Sequence, residues 1–126
     1  MSEYRILIVE DDPVSVTWMK RTLEKDEKLN PEIVHCETFA DAKDEIARTE
    51  FSLVILDLHL PDASGLETVH KMAVSTFGTT PVIVLTGTED DQMATKAITA
   101  GFKAYLVKGK SGPDDVCKAA HKALGL

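Results

Sequence analysis

Five short apolar runs recur along the chain, separated by stretches with helical period, and this alternation restricts the fold more than any other feature. The runs are residues 4–9 (YRILIV), 33–36, 51–56 (FSLVIL), 81–85 (PVIVL) and 104–107 (AYLV), the second being the weakest. The strong ones are continuously apolar instead of alternating, as expected of strands buried on both faces. Between them, residues 14–25 set Val16, Met19 and Leu23 at helical spacing, and 40–49 do so with Ala42, Ile46 and Ala47. Residues 66–76 use Leu66, Val69 and Ala73, and 91–100 use Ala94, Ala97 and Ile98. A last helix, 113–124, carries Val116, Ala119, Ala120 and Ala123, with Ser111 or Gly112 at its start and Pro113 suited to a first turn. Strands alternating with helices imply right-handed βαβ units and a parallel sheet covered on both faces, an α/β sandwich of three layers. In such an open sheet the site lies beyond the carboxyl ends of the strands.

With 126 residues the chain has the size of one core, able to bury roughly two-thirds of the surface its unfolded form exposes. A hydrophobic share of 44% and a charged share of 28% exclude a disordered or fibrous chain. The net charge of -7 disfavours nucleic acid as a direct partner, because that affinity rests on neutralising phosphates. Cys36 and Cys117 are too few and too far apart for a disulfide framework or a CxxC knuckle, and read as packing residues of a reducing compartment. No apolar stretch approaches the length of a membrane span and no basic leader precedes the first run, so a cytoplasmic protein without membrane contact is expected.

The strong runs give way to polar residues in a consistent manner. The first ends into Glu10, Asp11 and Asp12, the third into Asp57 within VILDLHLPDAS, the fourth into Thr86 and the fifth into Lys108. Parallel strands point these ends the same way, so acids distant in sequence converge on one rim. Carboxylates so close raise one another's pKa unless a cation offsets them. A hard divalent ion answers this, and Mg²⁺ suits a few carboxylates, a backbone carbonyl and retained waters. A carboxylate beside such an ion can attack phosphorus to form an acyl phosphate, with Lys108 supplying positive charge and the Thr86 hydroxyl a hydrogen bond expected only after phosphorylation. Plainer roles exist for each residue alone: Asp12, before Pro13, can cap a helix, Asp57 can be a loop acid, Lys108 a solvated charge and Thr86 a turn residue. His59 has no second histidine at zinc spacing and reads as a loop residue whose backbone matters.

The four motifs ILIVEDD, VILDLHLPDASG, PVIVLTG and AYLVKG, in that order, resemble the receiver domains of two-component response regulators, from about Arg5 to Leu124. The resemblance implies a CheY-like, flavodoxin-like doubly wound sheet of five parallel strands, order 2-1-3-4-5, with five helices. It makes residues 1–126 one receiver domain with its core at about 4–124. It implies that Asp57 takes a phosphoryl group from the phosphohistidine of a sensor histidine kinase or histidine phosphotransfer protein. Glu10 and Asp11 then match the principal metal positions, with Asp57 and the backbone carbonyl of His59 completing a site for Mg²⁺, or Mn²⁺ in its place. Thr86 and Lys108 match the switch hydroxyl and the phosphate-contacting lysine. Tyr105 matches the switch aromatic, unless it is simply a half-buried aromatic at the sheet edge. Gly87 matches a small residue that keeps the site accessible, and His59 and Thr88 match positions that tune the lifetime of the acyl phosphate. The fourth helix, fifth strand and fifth helix match an output face for a homodimer or an effector protein, and the first helix, with Trp18, the docking region for the histidine-bearing partner.

Such a domain catalyses its own phosphorylation and dephosphorylation and is not a metabolic enzyme. Gly109 departs from the family's usual proline after the lysine, which predicts a looser loop and motivates the alternative of a degenerate receiver acting as a phosphorylation-independent interaction module. A small hydrolase of the same architecture needs a substrate pocket and a separate acid or base, which the sequence does not offer. No GxGxxG or P-loop pattern supports a nucleotide site. Only Gly125 and Leu126 follow Leu124, so no DNA-binding output is expected within this stretch, which suits a single-domain regulator or a receiver excised from a longer protein.

Overall fold

The computed structural model describes residues 3–76 and 79–126. The chain runs β1 (Arg5–Val9), α1 (Pro13–Glu24), β2 (Glu32–Cys36), α2 (Phe39–Arg48), β3 (Leu53–Leu56), α3 (Leu66–Thr76), β4 (Val82–Thr86), α4 (Asp91–Thr99), β5 (Ala104–Val107) and α5 (Pro113–Ala123). The five strands form one parallel sheet in the order β2-β1-β3-β4-β5, the doubly wound arrangement expected. The elements match the sequence reading within about two residues at each end. One boundary matters: Thr86 is the last residue of β4 and not the first residue after it.

Continuous burial of the central strands explains their unbroken apolar runs. Side chains alternate between two cores because successive residues of a strand point to opposite faces. Leu7, Val9, Val54, Leu56 and Val84 pack on one side against α2, α3 and α4, through Ala42, Met72 and Ala97 among others. Ile6, Ile8, Ile55, Ile83 and Leu85 pack on the other against α1 and α5, through Met19, Leu23, Val116 and Ala120. Ala47 and Ile98, set on the apolar stripes of their helices by spacing alone, are exposed. Trp18 is half-buried and leans on the core beneath α1 and α5. Cys36 is buried and Cys117 half-buried, both as free thiols, and burial pushes Cys36 up to about 11. A thiol held neutral in this way is a packing group.

Local polar groups set the helix starts near the site. Asp12 caps α1, accepting from the Val14 N–H at 3.2 Å and the Ser15 hydroxyl at 2.9 Å. The start of α2 is held twice, by Thr38 and by Asp62 of the β3–α3 loop, whose carboxylate accepts from the N–H groups of Phe39 (2.8 Å) and Ala40 (2.9 Å). That loop also carries a small antiparallel ladder, His59–Leu60 with Ala63–Ser64, which sequence periodicity does not register. Two further bonds to the Leu58 carbonyl, from the Gly65 N–H and the Thr68 hydroxyl, each 2.8 Å, tie the loop down just after Asp57. The loop that delivers Asp57 is therefore ordered by its own contacts.

Candidate functional site

The carboxyl ends of β1, β3, β4 and β5 meet at one rim, as the strand ends predict. Glu10 follows β1 and is fully buried, Asp11 beside it is exposed, and Asp57 follows β3 with only 7% of its surface exposed. One carboxylate oxygen from each of the three lies within 4.8 Å of the others. The Asp57 backbone is held in place by its own N–H donating to the Val9 carbonyl at 2.9 Å, which fastens the tip of β3 to the tip of β1. Register between central strands thus converts residues far apart in sequence into one cluster.

The two oxygens of Asp57 are treated differently. Oδ1 accepts from the Thr86 hydroxyl at 2.9 Å and from the His59 N–H at 3.1 Å, while Oδ2 faces the Lys108 ammonium at 3.0 Å. The bond from Thr86 to the carboxylate is one the sequence does not foresee, and it is distinct from the one expected toward a phosphoryl oxygen. As the last residue of β4, one strand over from β3, Thr86 is fully buried, and its hydroxyl donates to Asp57.

Lys108 also lies against Glu10 Oε1, so one ammonium spans both buried acids. It supplies part of the neutralising charge that the sequence reading assigns wholly to a divalent ion. The offset is incomplete. Glu10 Oε2 accepts from the N–H groups of Asp11 (3.1 Å) and Asp12 (3.4 Å), but Oε1 is buried without a well-formed hydrogen bond. Burial, and then the neighbouring Asp57, push Glu10 up to about 7 despite Lys108. Burial also acts to raise Asp57, but the adjoining Glu10, the His59 N–H and Lys108 outweigh it, so Asp57 lies below the usual carboxylate range. The surroundings thus favour the neutral form at Glu10 and the charged form at Asp57. A buried acid with an unused lone pair, a second acid beside it and an exposed third carboxylate form an oxygen-only donor set that fits Mg²⁺.

Around this cluster, Tyr105 is half-buried on edge strand β5 and its hydroxyl donates to the Thr88 carbonyl at 2.8 Å. Gly87 is exposed, and a methyl group added there would meet nothing within 4 Å. Among the described residues, no contact requires glycine at that position. The loop after Lys108 is tight, contrary to the looseness expected from Gly109. The N–H groups of Lys110 (3.1 Å) and Ser111 (2.9 Å) both return to the Val107 carbonyl, and the Ser111 hydroxyl accepts from the Val107 N–H at 3.3 Å. Gly109 makes this turn with φ of +85°, which proline cannot adopt.

Two histidines do more than their sequence positions suggest. The His59 ring, exposed, lies between the hydroxyls of Ser64 (3.1 Å) and Thr88 (3.0 Å), linking the β3–α3 loop to the β4–α4 loop. His35, on β2, reaches the Glu10 carbonyl at 2.7 Å through Nε2. Neither contact has a local signal, because each partner lies more than twenty residues away or across a turn.

Comparison with known proteins agrees with this geometry. The family model for the response regulator receiver domain matches residues 6–121. The chain belongs to the receiver domain family. It is 31% identical over 117 residues to a protein-glutamate methylesterase/protein-glutamine glutaminase from Desulfitobacterium hafniense, covering 89% of this chain and 28% of that protein. The chain thus spans less than a third of that relative's length. Among solved structures it resembles the signal receiver domain of a Vibrio parahaemolyticus protein described as a putative Luxo repressor, with 31% identity, a TM-score of 0.80 and coverage of 97% and 90% of the two chains. It shares its fold with the receiver domain of the sensor histidine kinase PA1611 from Pseudomonas aeruginosa PAO1, a structure with magnesium in its active site cleft (21% identity, TM-score 0.80, 98% of each chain). Receivers are phosphoacceptor signalling modules that catalyse their own phosphorylation and dephosphorylation and are not metabolic enzymes. The Glu10, Asp11 and Asp57 cluster fits the phosphoryl-accepting and Mg²⁺-binding chemistry of a receiver domain. Membership implies a histidine kinase or phosphotransfer protein as the phosphoryl source. No helix among the described residues is long and apolar enough to cross a membrane.

Proposed function

We propose that residues 1–126 act as one receiver domain, with its core at about 4–124, in which Asp57 is the phosphoacceptor. The observation that carries this reading is the divided environment of Asp57: buried, pinned through Oδ1 by two donors, and bonded at Oδ2, among the described residues, to the Lys108 ammonium alone, with surroundings that favour its charged form. Oδ2 attacks the phosphorus of the partner's phosphohistidine. The new P–O bond forms as the P–N bond breaks, the electron pair leaves with the imidazole nitrogen, and Asp57 becomes an acyl phosphate. Glu10, Asp11, Asp57 and the His59 carbonyl would hold Mg²⁺, or Mn²⁺ in its place. When bound, the ion offsets negative charge on the transferring phosphoryl oxygens.

The chain's own groups do the rest. Lys108 turns from Asp57 to the phosphoryl oxygens, keeping its charge within reach because the tight turn at Gly109 fixes the backbone behind it. Thr86 releases the carboxylate and donates to the phosphoryl group instead. That change is felt at Thr88, two residues on, whose carbonyl holds Tyr105, so Tyr105 shifts against the α4–β5–α5 face. This face is the candidate contact for an effector protein or a second copy. Gly87 leaves room for the incoming donor, and the ring of His59 with Thr88 screens the acyl phosphate from water and so tunes its lifetime. The phosphoryl source docks through α1, and the setting is cytoplasmic, with neither nucleic acid nor membrane as a direct partner.

A test is incubation with Mg²⁺ and phosphoramidate, a small donor with a P–N bond, followed by intact-mass measurement. One phosphoryl group added to the wild type and none to Asp57→Asn supports the reading. No addition to either indicates a phosphorylation-independent interaction module.

A further inference from the structure

The ladder between β1 and β2 ends at the Glu10 N–H, which donates to the Cys36 carbonyl at 3.0 Å. Beyond it β2 turns away, because Thr38 already caps α2. The Glu10 carbonyl is thus left at the end of the ladder, where its partner is the His35 ring, half-buried, with Nε2 at 2.7 Å. A carbonyl only accepts, so Nε2 carries the hydrogen, and it does so in the neutral tautomer required here as well as in the imidazolium. The contact survives any change in charge on the ring.

The consequence lies in the peptide plane. The carbonyl of Glu10 and the N–H of Asp11 belong to one rigid unit. His35 holds its oxygen edge, and the Glu10 carboxylate holds its N–H edge at 3.1 Å. Asp11 leaves the chain directly from this plane, and being exposed it has no packing to fix its direction. We infer that His35 is a positioning residue for the divalent-ion site: its bond to the Glu10 carbonyl orients the peptide that delivers the Asp11 carboxylate to Glu10 and Asp57. Its register opposite Ile8, one residue before the ladder's last pair, puts the ring at the correct height to reach back over the strand end. No other side chain is hydrogen-bonded to this carbonyl among the described residues. The inference rests on the metal-binding reading of the site.

The test is a Mg²⁺ titration of the full chain by calorimetry, paired with phosphorylation rates across a range of Mg²⁺ concentrations. His35→Phe keeps the size of the ring and removes the donor. It is expected to weaken Mg²⁺ binding about tenfold, while the maximal phosphorylation rate returns at saturating Mg²⁺. His35→Gln, which carries an N–H at similar reach, is expected to restore affinity to within about twofold of wild type. His35→Leu gives a second donor-free variant should the phenylalanine disturb folding. The inference is overturned if the donor-free variants bind Mg²⁺ as the wild type does, if saturating Mg²⁺ fails to recover the rate, or if glutamine behaves like phenylalanine. A wild type that binds no Mg²⁺ overturns the metal reading itself, whereas intact wild-type binding with unchanged variants overturns only the role of His35.

Discussion

The strands that carry the acids and the strand that carries the lysine are built differently. Every residue of β3 is buried, as are Ile6 to Val9 of β1, and both strands are covered on both faces. All four residues of β5 are only half-buried, and the strand is an edge of the sheet. The carboxylates are therefore presented from strands covered on both faces, and Lys108 and Tyr105 from a half-covered edge strand. The contrast assigns tasks. A metal and phosphoryl site needs acids held at fixed separation, while a switch needs a cation and an aromatic that can change partners.

The comparison can be broken most decisively at Lys108. Lys108→Ala should lower the phosphorylation rate by about a hundredfold or more, as loss of a charge-stabilising donor does, and leave the chain folded though less stable, since two buried acids lose their counter-charge. Stopped-flow kinetics with phosphoramidate, alongside circular dichroism, measures both. A variant that unfolds instead would place Lys108 in the rigid half. Packing comes next: Ile55→Ala in β3 should cost about 2–5 kcal/mol, and Leu106→Ala in β5 clearly less, by urea unfolding. Equal losses would erase the distinction.

The buried acid gives a pH signature of similar or smaller size. Folded Glu10 titrates near 7 against an ordinary value of 4.5. Between these values the folded state binds a proton that the unfolded state has released, so stability without Mg²⁺ should fall as pH rises from about 4.5 to about 7. Asp57, held below its ordinary value, is ionised in both states across that window and does not oppose the trend. Urea midpoints against pH check this, and Glu10→Gln should flatten the curve. Added Mg²⁺ should flatten it too, since the ion favours the ionised acid. The smallest effect expected is that of Tyr105→Phe, which removes one hydrogen bond to Thr88 and should cost about 1 kcal/mol or less in stability. Its larger consequence belongs to affinity at the α4–β5–α5 face, measurable with a phosphorylated sample and its effector.

The same contrast explains which features are legible in the sequence. Burial on two faces forces unbroken apolar runs, so β1, β3 and β4 are plain in ILIV, LVIL and VIVL, and the acids that interrupt or follow them stand out. Asp12 as a helix cap is also legible, because Pro13 fixes the position beside it. Side-chain reach is not encoded locally. Nothing near His35 names Glu10 as its partner, and nothing near His59 names Thr88. The bond from Thr86 to Asp57 depends on Thr86 being the last strand residue, a boundary one position finer than periodicity resolves. At Gly109, the absence of proline suggests slack, whereas glycine makes a tight turn that proline would forbid.

The central claim is that acids from the rigid tips of β1 and β3 share one divalent ion. Its most direct test is a Mg²⁺ titration followed by the backbone amide signals of the isotope-labelled protein. The account predicts saturable shifts concentrated at residues 9–12 and 56–59, and much smaller ones along 104–107. Saturation with no response at Asp11 and Asp57, or with its largest shifts on β5, would contradict it.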